Sequence, residues 1–259
     1  MKKLIVQYWV PFSHYQHTYD DSVKLEENGT LCHSIAKYTG DYHKEFIADY
    51  SKKSFDLYAR KHGYDYVRFC NPTINFFHPI WEKIDLWIND DIWNNYDKVL
   101  YVDTDIFALP WAGDIFTDTN TFKTTEGGTS GVFVLTREVR EKTKHAMINI
   151  LNNMRMYHAG ENSSIEIVKE KKFRDMPEKP QPWLNLHFGN DEVMIDYVVN
   201  QWAKEYIEII GNEWNATTGL DKISTPIKLV DQNFAHLRSM KDRLHIKRIH
   251  LEAFFRKYY

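Results

Sequence analysis

The stretch that most constrains this chain is Lys98-Val99-Leu100-Tyr101-Val102-Asp103-Thr104-Asp105-Ile106. A mostly apolar run leads straight into two carboxylates one residue apart. Side chains alternate along a strand, so Asp103 and Asp105 fall on one side, and a turn at the strand end brings them to one point. Two like charges held together out of water are costly unless a positive group lies between them. A hard divalent cation meets that need, because Mg²⁺ and Mn²⁺ prefer carboxylate oxygen and share their coordination with substrate phosphates. Ligands of open α/β sheets bind beyond the carboxyl ends of the strands, which is where this pair would stand. The same residues also suit an Asx turn with both carboxylates bonded to local amides.

A chain of 259 residues can form one large domain or two small ones with a substantial core. Its net charge of −3, with Lys and Arg spread throughout, argues against a nucleic-acid partner. Cys32 and Cys70 lie far apart with no Cys-x-x-Cys or Cys/His cluster, which argues against structural zinc or a disulfide framework and suggests a reducing compartment. The opening Met1-Lys2-Lys3-Leu4-Ile5-Val6 has too short an apolar run for a signal peptide and meets Pro11 and His14 without a cleavage site. No run is long enough to span a bilayer. A cytoplasmic location is expected, and the triplets Asn28-Gly29-Thr30, Asn162-Ser163-Ser164 and Asn215-Ala216-Thr217 then read as accidental sequons.

Leu4 to Val10 reads as a buried first strand ended by Pro11. Residues 11 to 40 read as a long surface loop. Phe46, Ile47, Tyr50, Phe55, Leu57 and Tyr58 have helical spacing that stops at Gly63, and Tyr64 to Phe69 is a second strand. Trp81, Ile84, Leu86, Trp87, Ile88 and Ile92 predict one further helix ahead of the Asp103 strand. Strand, helix, strand, helix, strand is the pattern of a parallel sheet covered by helices. Later, Ser130 to Leu135 reads as a strand entered through Gly127-Gly128, and Arg137 to Met156 as a helix. Residues 158 to 188 read as an excursion or lid. Asn190 caps an amphipathic helix with Asp191 and Glu192 on its first turn. A strand from Ile227 to Val230, the run Phe234-Ala235-His236-Leu237-Arg238 and a basic, aromatic C-terminal helix complete the chain. No internal repeat or linker divides it.

The order of elements and the wording of several segments resemble a GT-A glycosyltransferase. The segments are Tyr58-Ala59-Arg60-Lys61-His62-Gly63-Tyr64-Asp65-Tyr66, Trp81-Glu82-Lys83-Ile84, and Tyr96-Asp97-Lys98 leading into the Asp103-Thr104-Asp105 motif. Ser130-Gly131-Val132, Asn190-Asp191-Glu192 and a late His236 with Lys241 add to them. The resemblance covers residues 1 to 241 and includes glycogenin-like families. Those place a glycine between the late His and Lys and follow the Lys with Pro-Trp, where this chain reads His236-Leu237-Arg238-Ser239-Met240-Lys241-Asp242.

The resemblance implies an α/β fold: a GT-A, Rossmann-like, mixed and mostly parallel sheet flanked by helices in a single domain. Residues 1–105 would form the nucleotide-binding half, 106–240 the acceptor-binding half and 241–259 a basic C-terminal helix. The implied reaction is transfer of a hexose or pentose from a UDP-sugar, with GDP as the alternative, to a glycan or other hydroxyl acceptor. Asp103, Asp105 and His236 would ligate Mn²⁺ or Mg²⁺, which stabilises a leaving diphosphate as a Lewis acid. Lys83, Thr104, Lys241 and Arg238 would lie along the diphosphate. Gln7 and Tyr8 would hold the nucleobase, with Tyr8 stacking on it and Trp9 packing in the strand. Trp183, His187, Trp214 and Asn215 would face the acceptor. Asp191 would be the reacting carboxylate, with Glu192 beside it. Two other readings stay open. A haloacid-dehalogenase-type phosphatase also ends a strand in Asp-x-Asp, but after its first strand. A non-catalytic sugar- or nucleotide-binding module would share the fold.

Overall fold

The computed structural model describes residues 1–11, 45–76, 78–116, 118–125, 131–161, 164–168, 186–217, 231–237 and 244–259. The expected Ile227–Val230 strand, the Gly127-Gly128 turn, most of the 11–40 loop and most of the 158–188 excursion lie outside these residues. So do Cys32, Trp183, Arg238 and Lys241.

The chain begins with β1 (Lys3–Tyr8), followed by α1 (Glu45–His62) and β2 (Asp65–Phe69). Gly63 ends α1 with a φ of 71°, and the Tyr64 amide reaches back to the Ala59 carbonyl at 2.9 Å. This is the left-handed helix stop that glycine makes at little cost. The single helix expected over Trp81–Ile92 is in fact three pieces: a 3-10 turn (Pro79–Ile84), α2 (Asp85–Ile88) and α3 (Asp90–Asn95). Asn89 breaks the run, because its extended backbone lets its side chain cap α3 through the Asp91 amide at 3.1 Å. There follow β3 (Lys98–Val102), β4 (Ile106–Ala108), β5 (Phe122–Thr125), β6 (Val132–Thr136) and α4 (Arg137–His158). The last part holds β7 (Glu166–Val168), β8 (Leu186–Phe188), α5 (Asp191–Trp202), β9 (Ile207–Ile210), β10 (Ala216–Thr217), β11 (Phe234–His236) and α6 (Leu244–Tyr258).

The central sheet runs β2-β1-β3-β6-β5-β9. β2, β1 and β3 are parallel, β6 is antiparallel to β3 and β5, and β9 is parallel to β5. This is the mixed, mostly parallel sheet that the resemblance implies; the strand and helix pattern alone indicates its parallel part, β2-β1-β3. Alternation sorts its side chains to two faces. Leu4, Val6, Tyr8, Val99, Tyr101, Phe133 and Leu135 face a core shared with Trp81, Trp87, Met147, Met194 and Tyr197 of the 3-10 turn, α2, α4 and α5. Ile5, Leu100, Val102, Val132 and Val134 face a second core with Phe55, Tyr58 and Ala59 of α1 and with Phe234. Trp81 and Trp87 are fully buried, which stabilises the fold by roughly 1.5–3 kcal/mol each. α5 is buried on nearly every side rather than amphipathic.

A small sheet, β10-β11-β4, stands beside the main one. Its register sets His236 opposite Ile106, immediately after Asp105. α6 covers this sheet and α1 with Leu251, Phe254 and Phe255.

Candidate active site

β1, β2 and β3 are parallel and end at one edge, with Tyr8 beside Phe69 and the Asp103 turn just past Val102. Asp103, Thr104 and Asp105 lie in the turn between β3 and β4, so the turn rather than strand alternation gathers the carboxylates. The Asp103 amide bonds the Gly131 carbonyl at 2.8 Å, and the Ile106 amide bonds the Asp103 carbonyl at 3.2 Å. Gly131 matters for its missing side chain. A Cβ there would stand 3.1 Å from Asp103 Oδ2 and 3.4 Å from Ile106 Cδ1.

Lys83, at the end of the 3-10 turn, is 3% exposed and joins two distant parts of the chain. Its Nζ lies 3.3 Å from Asp103 Oδ1 and 2.7 Å from Asp191 Oδ2. It also stands 4.8 Å from the centre of the Tyr101 ring, and the Tyr101 hydroxyl donates to Asp103 Oδ1. Burial alone would lower the lysine pKa, but the Asp103 and Asp191 charges more than offset it and hold the ammonium above its ordinary range. Burial raises the Asp103 pKa; Lys83 opposes the rise and the neighbouring Asp105 adds to it. Asp191 opens α5, where the Asn190 side chain caps the Val193 amide at 2.8 Å as expected. Glu192, its neighbour, is half-buried.

On the other flank, His236 Nε2 lies 3.4 Å from Asp105 Oδ1, and the Leu237 amide bonds the Asp105 carbonyl at 2.9 Å. Two ligands of one ion, each about 2.1 Å from it and at right angles, stand about 3 Å apart, so Asp105 and His236 fit a shared cation. Asp103 Oδ1 is engaged by Lys83 and Tyr101, which leaves Oδ2, facing the Gly131 gap, as its available oxygen. Among the described residues, no group of three or more His, Cys, Asp or Glu side chains is arranged to hold a metal by itself. Such a set suits an ion that completes its coordination with phosphate and water, as Mg²⁺ and Mn²⁺ do.

The structure thus brings together Lys83, Asp103, Asp105, Asp191 and His236, with Thr104 half-buried between the two acids. It places Gln7 and Tyr8 elsewhere. Gln7 is fully buried beneath the turn, donating to Ser51 Oγ at 2.7 Å and to the Asp103 carbonyl at 3.3 Å, and accepting from the Tyr66 hydroxyl at 2.6 Å. The Tyr8 ring stacks between Phe69 and Tyr101, and its hydroxyl donates to Asp85 at 2.8 Å. These contacts make both residues supports of the site and leave the Tyr8 ring no face for a nucleobase. Trp9 is a half-buried aromatic ring at that edge, as Phe69 is, and lies under the Arg68 guanidinium at 5.4 Å.

Among the acceptor candidates, His187 is buried with its Nε2 2.9 Å from His158 Nε2. Trp214 packs edge-on against Phe234 at 5.2 Å. Asn215 approaches the site, its Nδ2 3.7 Å from where a Gly131 Cβ would stand.

Sequence reasoning missed three residues here. Tyr101 lies two before Asp103, which hints at a shared side. His78 is buried near Lys83 and Asp191. Its Nδ1 accepts from the Ile80 amide at 3.0 Å, and burial lowers its pKa to about 4, so it is neutral with its proton on Nε2. Asp196 is 4% exposed, and burial, with Glu192 and Asp191 adding, raises its pKa to about 9.

No family model and no curated protein matches the sequence. Among solved structures, the chain is similar to a glycosyltransferase involved in the glycosylation of the major capsid of PBCV-1, with a TM-score of 0.50 and 12% identity over 98% of this chain and 100% of that one. That likeness shows the fold. The glycosyltransferase GlyE of Streptococcus pneumoniae TIGR4 is more loosely similar, with a TM-score of 0.42 and 9% identity over 99% of this chain and 63% of that one. Its apo form gives 0.40 and 12% over 99% and 64%. Among the described residues, no helix is long and apolar enough to cross a membrane.

Proposed function

We propose that this chain is a metal-dependent glycosyltransferase of GT-A type, moving one sugar from a UDP-sugar, or a GDP-sugar, to the hydroxyl of a glycan or similar acceptor. The observation that carries the reading is the joined site itself. Two carboxylates stand in the turn after β3, one beside His236 and the other tied through Lys83 to Asp191 at a helix start. The reaction breaks the donor's anomeric C–O bond, forms a bond from that carbon to the acceptor oxygen and leaves charge on the diphosphate. Asp105 and His236 would hold Mn²⁺ or Mg²⁺ directly, with Asp103 Oδ2 reaching it through a water and phosphate completing the coordination; the ion would supply Lewis-acid stabilisation of that charge.

The protein's own residues set the geometry. Lys83 fixes the separation of Asp103 and Asp191, so the donor end and the acceptor end of the site keep one spacing. Trp9 offers a ring to the nucleobase at the end of β1. Asp191, pinned by Lys83, is positioned to orient the acceptor, and Glu192 stands beside it on the half-buried side of the helix start. In an inverting enzyme one of these carboxylates takes the acceptor proton. The glycosyltransferase fold of the PBCV-1 neighbour supports the reading, and the choice of UDP over GDP rests on the sequence resemblance.

The test is a screen of UDP- and GDP-sugars for nucleotide release with Mn²⁺ and mixed glycan acceptors. The reading expects one donor to be consumed. Tight nucleotide binding without consumption of any donor would make the chain a binding module instead.

A further inference from the structure

Glu82 stands next to Lys83 on the same 3-10 turn, is fully buried, and points the other way. Its Oε2 accepts from the Thr73 amide at 2.7 Å, the Thr73 hydroxyl at 2.9 Å and the Ile74 amide at 2.9 Å. Its Oε1 accepts from the Asn75 amide at 2.9 Å. These donors are consecutive residues of the segment that leaves the carboxyl end of β2. The segment is also held from α4, where Arg155 donates to the Ile74 carbonyl at 2.6 Å, and Phe76 packs edge-on against Trp81 at 5.4 Å. Asn75 adopts a φ of 49°, the left-handed region that most side chains avoid. A carboxylate that gathers several amides around itself holds such a backbone in place.

A short 3-10 turn has poor internal hydrogen bonding and takes its position from outside contacts. Lysine adds a flexible four-carbon stem. The Lys83 ammonium nevertheless reaches two carboxylates on different elements at once, so its Cα needs an anchor. Glu82, one residue away and bonded to an immobilised loop, is that anchor.

We infer that Glu82 is a positioning residue for the proposed transfer reaction, locking the turn so that the Lys83 ammonium reaches both Asp103 and Asp191. The catalytic consequence rests on the glycosyltransferase reading, whereas the placement of Lys83 does not. Glutamine at this site would turn an NH₂ donor toward a backbone donor, because only one of its two terminal atoms accepts.

The experiment is ¹⁵N NMR of the lysine ammonium groups in lysine-labelled protein, with the Lys83 signal assigned by its loss in Lys83→Met. A buried ammonium paired to two carboxylates exchanges slowly and should give a sharp signal in the wild type. Glu82→Gln should broaden or abolish it while far-UV circular dichroism stays native. Thr143→Val, which removes the buried Trp87–Thr143 hydrogen bond of 2.9 Å away from this network, should leave it unchanged. Nucleotide release should fall at least tenfold in Glu82→Gln, and the double variant with Lys83→Met should be no worse than Lys83→Met alone. An unchanged Lys83 signal in Glu82→Gln, or losses that multiply in the double variant, would overturn the inference. If Glu82→Gln does not fold, Thr73→Val removes the hydroxyl donor alone; partial broadening supports the inference and an unaltered signal overturns it. A wild type that consumes no nucleotide sugar would end the functional reading, and the NMR signal would still decide whether Glu82 places Lys83.

Discussion

Replacing Lys83 with methionine keeps most of the side-chain volume and deletes one charge. Lys83 and Asp191 are both buried, and the ammonium stands 2.7 Å from Asp191 and 3.3 Å from Asp103. Removing one member of a buried ion pair costs about 3–5 kcal/mol, because the remaining charge stays buried without compensation. A domain's whole stability is about 5–15 kcal/mol, so Lys83→Met should fold but with a clear deficit. With a urea slope of about 2–3 kcal/mol per molar for a chain of this size, the midpoint should drop by about 1–2.5 M. The sign of its pH dependence follows from the charges left behind. Without Lys83, Asp103 would lose the charge that opposes its rise, so its folded-state pKa would stand further above its unfolded value of about 3.9. The penalty is then absent below about pH 4 and grows as pH rises, so the deficit at pH 7 should shrink to within about 1 kcal/mol at pH 4. The assay is urea unfolding followed by tryptophan fluorescence at both pH values. A deficit below about 1 kcal/mol at pH 7, or an equal deficit at both, would mean that packing rather than charge holds this site together.

Three further outcomes are expected. Gly131→Ala should weaken binding of UDP with Mn²⁺ by more than it lowers stability, since its Cβ would stand 3.1 Å from Asp103 Oδ2 and overpacking alone costs about 1–3 kcal/mol; calorimetric titration beside thermal melts separates the two. Asp196 is buried with a pKa raised to about 9, so wild-type stability should fall with rising pH between about 4 and 9 by up to about 1.4 kcal/mol per unit from this group; Asp196→Asn should remove that slope and raise the melting temperature at pH 8 more than at pH 5. Asp191→Asn should cost more turnover and more stability than Glu192→Gln, and the product anomer read by NMR assigns a base role if inverted and a positioning role if retained; equal small losses would reduce both acids to helix N-terminal charges worth about 0.3–1 kcal/mol.

The sheet core and the Asp103 turn are legible in the sequence because their signals are local. An apolar run followed by two acids is contained in nine residues, and Gly63 and Asn190 mark helix ends by backbone and capping chemistry. The ties that assemble the site span long sequence separations and leave no local pattern. Lys83 meets Asp191 across more than a hundred residues, and His236 reaches Asp105 only because β11 pairs with β4. Both strands are three residues long, too short for alternation to register. The break at Asn89 is hidden because apolar spacing continues through it while its side chain caps the next helix. Tyr8 resembles a stacking ring only as an aromatic near a strand end; both faces of β1 are buried, so parity does not place it, and its packing between Phe69 and Tyr101 on the neighbouring strands sets it in the core.

The most direct test of the site is titration calorimetry of UDP into the wild type and into Asp105→Ala, each with Mn²⁺ and with EDTA. Binding that requires Mn²⁺ and weakens at least tenfold in Asp105→Ala, with the melting temperature in EDTA unchanged, is the predicted result. Equal UDP affinity in EDTA and Mn²⁺, or in Asp105→Ala and wild type, would contradict a metal–diphosphate site at the Asp103–Asp105 turn.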